Sequence, residues 1–197
     1  MTRRALVVTH GGREEAVAAT AEAVRELERA GFETVRDGGH RVDHADHDVD
    51  LTDVEIAVVL GGDGTILRAA EVTRGTAIPL LGINLGHVGF LAESERDDIG
   101  EAVRRIAARD YEVEERGTLE VRAMLPGETA PILSSWALNE ATVEKGDRDR
   151  MIEVVVEVDG RPLSSFGCDG VVMATSTGST AYAFSAGGRW CGRTSTA

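Results

Sequence analysis

The apolar run Ile56-Ala57-Val58-Val59-Leu60 ends abruptly at Gly61-Gly62-Asp63-Gly64-Thr65, and this junction constrains the fold more than any other feature. A short run rich in β-branched residues and bounded by glycine reads as a buried strand. Beyond Thr65, Leu67, Ala70 and Val72 recur near helical spacing, so the loop joins a strand directly to a helix. Glycines let the backbone turn tightly and approach an anion, while a helix N-terminus presents unpaired N–H donors. An Asp in such a loop repels phosphate unless it binds a metal or accepts a proton. Two readings of Asp63 stay open. It is a general base or positioning acceptor beside a bound hydroxyl, or a helix cap in an ordinary tight turn.

The rest of the first half repeats this alternation. Residues 5–8 are a short apolar strand, followed by the loop Thr9-His10-Gly11-Gly12. Val17, Ala21, Val24, Leu27 and Ala30 recur at spacings of three and four, which predicts a helix over residues 13–30, stopped by Gly31. Strands are expected at 32–35 and 77–83 and a helix at 99–108. Strand, helix and strand in succession argue for a parallel sheet with helical crossovers. After about Gly117 the texture changes. Ile152, Val154, Val156 and Val158 alternate with Glu153, Val155 and Glu157, the period of a half-buried strand, and Asp159-Gly160 supplies a hairpin turn. Residues 119–125, 133–143 and 171–174 also read as strands, with no strong helix between them. The expectation is a Rossmann-like α/β domain over residues 1–117, then a mostly antiparallel β domain from residue 118, of sandwich type and incomplete.

Two further polar clusters fall in that second half. Asn139-Glu140 interrupts a strand-like run, where neighbouring side chains point to opposite faces. An amide beside a carboxylate suits ribose hydroxyls or adenine edges, although a solvated edge strand is the simpler account of the pair alone. Asp169-Gly170 precedes the strand at 171–174, which runs into Thr175-Ser176-Thr177-Gly178-Ser179-Thr180-Ala181-Tyr182. Small hydroxylated residues around a glycine offer many donors and little bulk. Taken alone, an ordinary Ser/Thr-rich loop accounts for them.

Composition narrows the ligand classes. Acidic residues outnumber basic ones, 34 to 21, for a net charge of −13, and aromatics are 4%. Both facts argue against nucleic acid, whose binding needs clustered cations and stacking platforms. Apolar stretches fall far short of a membrane span. The basic-then-apolar start, Arg3-Arg4 into 5–8, is cut off at Thr9 and reads as a strand rather than a leader. Cys168 and Cys191 allow one disulfide at most, so a reducing cytoplasm is the simpler compartment. His40, His44 and His47 among Asp43, Asp46, Asp48 and Asp50 invite a metal site, but a segment without periodicity reads as a solvated loop. Cys168 reads as a small buried thiol, and Arg148 and Arg150, alternating with Asp147 and Asp149, as an exposed turn.

Together the glycine–aspartate loop, Asn139-Glu140 and the 175–182 run resemble the NAD kinase family in order and spacing. The segments Leu81-Gly82-Ile83-Asn84-Leu85-Gly86-His87-Val88-Gly89-Phe90-Leu91 and Gly167-Cys168-Asp169-Gly170-Val171 resemble it as well. The likeness runs from about residue 5 to residue 188. It implies phosphorylation of NAD at the adenosine 2′-hydroxyl to NADP, using ATP or polyphosphate and a divalent metal, Mg²⁺ by preference. It implies Asp63 as base or positioning residue, with Gly61, Gly62, Gly64 and Thr65 close to the donor phosphates. Asn139 and Glu140 would hold the adenosine, and Asp169, Thr177, Thr180, Ala181, Tyr182 and Ser185 would line the dinucleotide site, some from a neighbouring subunit of a homo-oligomer. Asn84 and Phe90 would lie beside the same pocket. The glycine–aspartate loop alone is shared with diacylglycerol-type lipid kinases, which remain an alternative, as does a non-catalytic nucleotide-binding fragment.

Two departures from the family pattern stand out. Ser176 occupies the usual position of a proline, whose fixed φ would pre-set the loop, so a modest loosening is expected. After Gly188 the chain reads Arg189-Trp190-Cys191-Gly192-Arg193-Thr194-Ser195-Thr196-Ala197 instead of a Pro-Val-Val-type strand. In one permitted choice of codons, a single added base after Gly188 restores Gly-Pro-Val-Val, so a frameshift or a truncation is expected there, with residues 189–197 outside the family pattern. On that reading the β domain keeps unpaired edges and exposed apolar faces, and the chain folds poorly and turns over little.

Overall fold

The computed structural model describes residues 2–9, 14–37, 49–85, 91, 94–95 and 98–191. Strand β1 (Arg3–Thr9) is followed by α1 (Glu14–Arg29), β2 (Phe32–Arg36), β3 (Val54–Leu60), α2 (Asp63–Val72), β4 (Leu80–Asn84), β5 (Ser94–Glu95) and α3 (Ile99–Ala108). The strands form one parallel sheet in the order β2-β1-β3-β4-β5. Alternation along each strand divides its side chains between two apolar layers. Ala5, Val7, Ile56, Val58 and Leu60 meet Ala23, Val24 and Leu27 of α1 and Ile99, Val103 and Ile106 of α3 on one face. Leu6, Val8, Ala57 and Val59 meet Ile66, Ala69 and Val72 of α2 on the other. The expected parallel sheet with helical crossovers is present, and helices cover both of its faces.

Glu55 marks an irregularity in this pattern. The β1–β3 register shifts between Arg4, opposite Val54, and Ala5, opposite Ile56, so Glu55 is an extra residue. The shift returns Val54 to the layer of Ala57 and Val59. The Glu55 carboxylate accepts from Arg3 at 2.6 and 2.8 Å and from Arg109 at 3.2 and 3.3 Å. Arg3 also donates to the carbonyls of Ile106 and Ala107, closing the C-terminal turn of α3.

The second half contains β6 (Leu119–Ala123), β7 (Leu133–Ala137), β8 (Glu140–Glu144), β9 (Ile152–Val158), β10 (Arg161–Cys168), β11 (Gly170–Ala174), a 3₁₀ turn at Gly178–Thr180 and the single turn α4 (Tyr182–Ser185). The strands pair antiparallel as β6–β7, β8–β11 and β9–β10. Asp159 and Gly160, at φ 52° and 72°, form the expected hairpin turn. The chain divides into two compact units, Met1–Glu114 and Glu115–Ala197. Both apolar layers belong to the first. In the second, Leu133, Val155, Leu163, Phe166, Tyr182, Phe184 and Trp190 are all exposed. Among the described residues, no helix is long and apolar enough to cross a membrane.

Three boundaries differ from expectation for local reasons. β4 starts at Leu80 rather than residue 77 because Pro79 has no N–H to donate, while its carbonyl accepts from Ala57 at 2.9 Å. The strand from Leu119 stops at Ala123, before the turn in which Glu128 N–H donates to Leu125 O. The expected single strand over 133–143 is two, β7 and β8, broken at Leu138-Asn139.

Candidate functional site

In the first unit the glycine–aspartate loop leaves the C-terminal end of β3. Leu60 lies opposite Ile83, and Gly61 N–H donates to Ile83 O at 3.0 Å, so Asn84 ends β4 beside the loop. A Cβ at Gly61 would overlap Thr65 Oγ1 and lie 2.9 Å from Thr65 Cβ, so this turn requires glycine. Gly62 is the N-cap of α2 and makes no side-chain cap bond. Asp63 is the first helical residue, and its Oδ1 accepts the N–H of Leu91 at 3.1 Å. The helix-cap reading of Asp63 falls on this geometry. Its carboxylate instead ties the first glycine loop to the end of the second glycine-rich segment, at a helix terminus whose dipole favours negative charge. Phe90 lies outside the described residues, as do His40, His44 and His47.

The chain runs from β1 outward to β2 on one side and from β3 outward to β4 on the other. The β1–β3 boundary is thus the point where strand order reverses, and open α/β sheets bind ligands in the crevice at that edge.

The second unit holds the other candidates. Thr175 extends the β8–β11 pairing, donating its N–H to Asn139 O at 2.8 Å. Its hydroxyl lies 2.6 Å from Leu138 O and 3.1 Å from Asn139 O, and receives Gly178 N–H at 3.0 Å. This one threonine fastens the 175–180 loop to the β7–β8 break. Sequence reasoning placed it in the loop without a role, although a Thr three residues before a turn glycine is a recognisable side-chain turn motif. At Gly178 a Cβ would overlap the carbonyl carbon and oxygen of Asn139 and lie 2.7 Å from Asn139 Cα, so only glycine permits this contact.

Around that contact, Asn139 Oδ1, Glu140 Oε2 and Thr177 Oγ1 are buried without a hydrogen-bond partner among the described residues. Burial pushes the Glu140 carboxyl above its ordinary range. Orphaned buried polar atoms cost free energy and call for a reason. Three of them fall at this one loop-and-strand junction, a candidate cradle for a polar ligand.

The other candidates are placed differently. Thr180 and Ala181 continue the same loop, with Ala181 N–H donating to Gly178 O at 2.9 Å. Tyr182 and Ser185 lie on α4, both exposed. Asp169 stands at the opposite end of β11, exposed, and its carboxylate pairs with Lys145 at 2.7 Å. The strand length separates it from the cradle by about 17 Å.

The N-terminal domain of ATP-NAD kinases matches residues 40–111 and the C-terminal domain of the same family matches residues 138–194. The NAD kinase of Leifsonia xyli is 57% identical, covering 94% of this chain and 64% of its own length. The chain belongs to the ATP-NAD kinase family. This membership decides against the diacylglycerol-type lipid kinase. The NAD kinase of Thermobifida fusca is 51% identical, covering 94% of this chain and 62% of its own, so the chain spans less than two thirds of these relatives. A yeast NADH kinase solved with NADH shares the fold at a TM-score of 0.81 and 21% identity, over 96% of this chain and 62% of its own. An Archaeoglobus fulgidus NAD kinase solved in complex with ATP gives a TM-score of 0.65 at 29% identity, over 95% of this chain and 67% of its own.

Proposed function

We propose that this chain phosphorylates NAD at the adenosine 2′-hydroxyl to give NADP, taking the phosphoryl group from ATP or polyphosphate. The observation that carries the reading is the cradle of Asn139 Oδ1, Glu140 Oε2 and Thr177 Oγ1, three orphaned atoms beside a backbone contact that only Gly178 allows. An acceptor pair and a hydroxyl match the exocyclic amine and ribose hydroxyls of an adenosine. Asp63 would accept a hydrogen bond from the attacking 2′-hydroxyl, hold it in line, and take its proton as the new bond forms. The loop of Gly61, Gly62 and Gly64 would let donor phosphates approach the backbone at the start of α2.

Among the described residues no three His, Cys, Asp or Glu side chains gather. The proposed magnesium ion would arrive on the donor phosphates and keep water ligands, with Asp63 as a nearby carboxylate. Such an ion would neutralise phosphate charge. The cytoplasm is the proposed compartment, since both cysteines are free. The far placement of Asp169 supports a homo-oligomer in which it reaches a neighbouring copy's dinucleotide site.

The test measures NAD binding calorimetrically and NADP formation by a coupled assay, for wild type and Asp63→Asn. Turnover should fall by ~10³-fold or more in Asp63→Asn, with NAD affinity retained. A wild-type chain that binds no NAD overturns the dinucleotide site. NAD binding without turnover overturns catalysis and leaves a nucleotide-binding module.

A further inference from the structure

Thr177, whose buried hydroxyl is one of the three orphans, sits between two clamped peptide groups. The peptide after it carries Gly178 N–H, which donates to Thr175 Oγ1 at 3.0 Å. The peptide before it carries Ser176 O, which accepts from Ser179 Oγ at 2.8 Å. Holding both flanking peptides restrains φ and ψ of Thr177, found at −62° and −48°, and a β-branched side chain then has few rotamers left. Thr175 is itself fastened to the β7–β8 break. Ser179, only 2% exposed, has a different anchor.

That anchor is the segment after α4. The N–H groups of Ala186 and Gly188 donate to Tyr182 O and Ala183 O at 2.9 and 2.8 Å, closing the turn, and Gly187 takes a φ of 85°. A Cβ at Gly188 would lie 2.6 Å from Ala183 O, so the chain needs glycine to double back here. The return lays the backbone of Cys191 on Ser179. Cys191 N–H donates to Ser179 Oγ at 3.2 Å, and Cys191 O lies 3.3 Å from the same oxygen. The hydroxyl has one proton, and Ser176 O is its nearer acceptor. A donor arriving on the oxygen's lone pair directs that proton toward Ser176 and strengthens the bond. The Cys191 thiol plays no part in this clasp: it is exposed and contacts Arg189 O, within the same segment, at 3.8 Å.

We propose that Ser179 is a positioning residue for the dinucleotide and that residues 187–191 are the strap that holds it. Ser179 touches no ligand. It passes the strap's hold through Ser176 O to Thr177, and so keeps the Thr177 hydroxyl in the cradle. The inference rests on the dinucleotide reading but concerns how the loop is held. It makes the backbone course of the strap matter and its side chains interchangeable. Arg189-Trp190-Cys191 therefore serves where a Pro-Val-Val-type strand was expected.

The experiment uses the full chain as wild type, Ser179→Ala, Gly188→Ala, the double variant of these two, and Cys191→Ala. It measures NAD binding by calorimetry and NADP formation at steady state. Ser179→Ala removes the hydroxyl and Gly188→Ala diverts the strap, so each should weaken NAD binding about 5-fold or more. The double variant should bind no more weakly than the weaker single variant, because both remove one clamp. KM for NAD should rise in step, with kcat within about 2-fold of wild type, and Cys191→Ala should keep wild-type affinity. Amide exchange of the ligand-free wild type needs no variant: Cys191 N–H should be protected there and lose protection in Ser179→Ala. Several results would overturn the inference and leave the dinucleotide reading standing. They are an unprotected Cys191 N–H in wild type, unchanged NAD affinity in either single variant, additive losses in the double variant, and a fall in kcat at unchanged KM. A loss in Cys191→Ala equal to that in Ser179→Ala is another. A wild-type chain that binds no NAD overturns that reading, and this inference with it.

Discussion

Gly178→Ala is the sharpest test of the junction in the second unit. The new Cβ would overlap the Asn139 carbonyl and sit 2.7 Å from Asn139 Cα, all backbone atoms that cannot rotate away. Opening such contacts to the ~3.5 Å of ordinary carbon separation requires a shift of about 1–1.5 Å. That shift breaks the fastening at Thr175, whose hydroxyl joins Leu138 O, Asn139 O and Gly178 N–H at 2.6, 3.1 and 3.0 Å. Two or three neutral hydrogen bonds at about 1 kcal/mol each, with overpacking of about 1–3 kcal/mol, give a local cost of about 3–6 kcal/mol. Thr177 moves with the loop, so the cradle opens. NAD affinity, measured by calorimetry, should fall by about 100-fold or more, while circular dichroism of the first unit's helices persists. Gly62→Ala is the control, since nothing lies within 4 Å of its Cβ and its φ is −90°. It should leave stability and NAD affinity unchanged. Gly178→Ala with wild-type NAD affinity would refute the reasoning from backbone contact to site geometry.

Further outcomes follow from other contacts. The guanidinium of Arg3, helped by Arg109, holds the Glu55 carboxyl at about 2 rather than 4.5. A carboxyl depressed on folding adds stability that is complete above about 4.5 and lost as pH falls through about 2. Arg109 is exposed, so solvent screening reduces the ideal ~3 kcal/mol to about 1–2. Urea unfolding of Glu55→Gln should show that deficit at pH 7 and a narrowing gap toward pH 3, and a pH-independent gap would count against it. Amide exchange should be slow in β1 and β3 and fast in the β9–β10 ribbon, because the latter has no apolar layer, and uniform protection would contradict the division. Saturating NAD should slow exchange at residues 139–144 and 170–181 and leave β1 and β3 unaffected.

What the sequence disclosed depended on whether a signal was local. The first unit was legible because a helical period marked α1 and Ile56 to Leu60 form an unbroken apolar run, although the buried face of α1 is Ala16, Ala19, Ala23, Val24 and Leu27, and Val17 of the expected face is exposed. The Asp159-Gly160 turn was legible because its two positive φ angles demand such residues. The break between β7 and β8 was signalled only by the polar pair Asn139-Glu140 interrupting the run, since the residue that fastens it, Thr175, lies 36 positions from Asn139 along the chain. Asp37 was invisible for a similar reason. An acidic residue after a short strand looks solvated until Arg68 of α2 is brought to 2.7 Å from it. The residues named in the second unit were recognised as a pattern, but periodicity gave no hint that Asn139, Glu140 and Thr177 would be buried and unsatisfied.

The distribution of cost between the two units has a physical consequence for function. In the first, fully buried Leu6, Leu27, Leu60, Ile83 and Ile106 fix the sheet, each contributing about 1.5–3 kcal/mol. The Asp63 loop is thus held on a frame whose geometry does not depend on a ligand. In the second, three orphaned polar atoms cost about 1–3 kcal/mol each, and the strands around them lack an apolar layer to offset it. A dinucleotide that satisfies those atoms removes the deficit, and at 100 times its dissociation constant adds about 2.7 kcal/mol of linked stability. On the proposed function the glycine–aspartate loop would meet donor phosphates preorganised, whereas the junction of Asn139, Glu140 and Thr177 would be completed by the dinucleotide it binds. A cradle completed in this way favours substrates that supply all three hydrogen-bonding partners, because a ligand lacking one leaves a buried group unpaired.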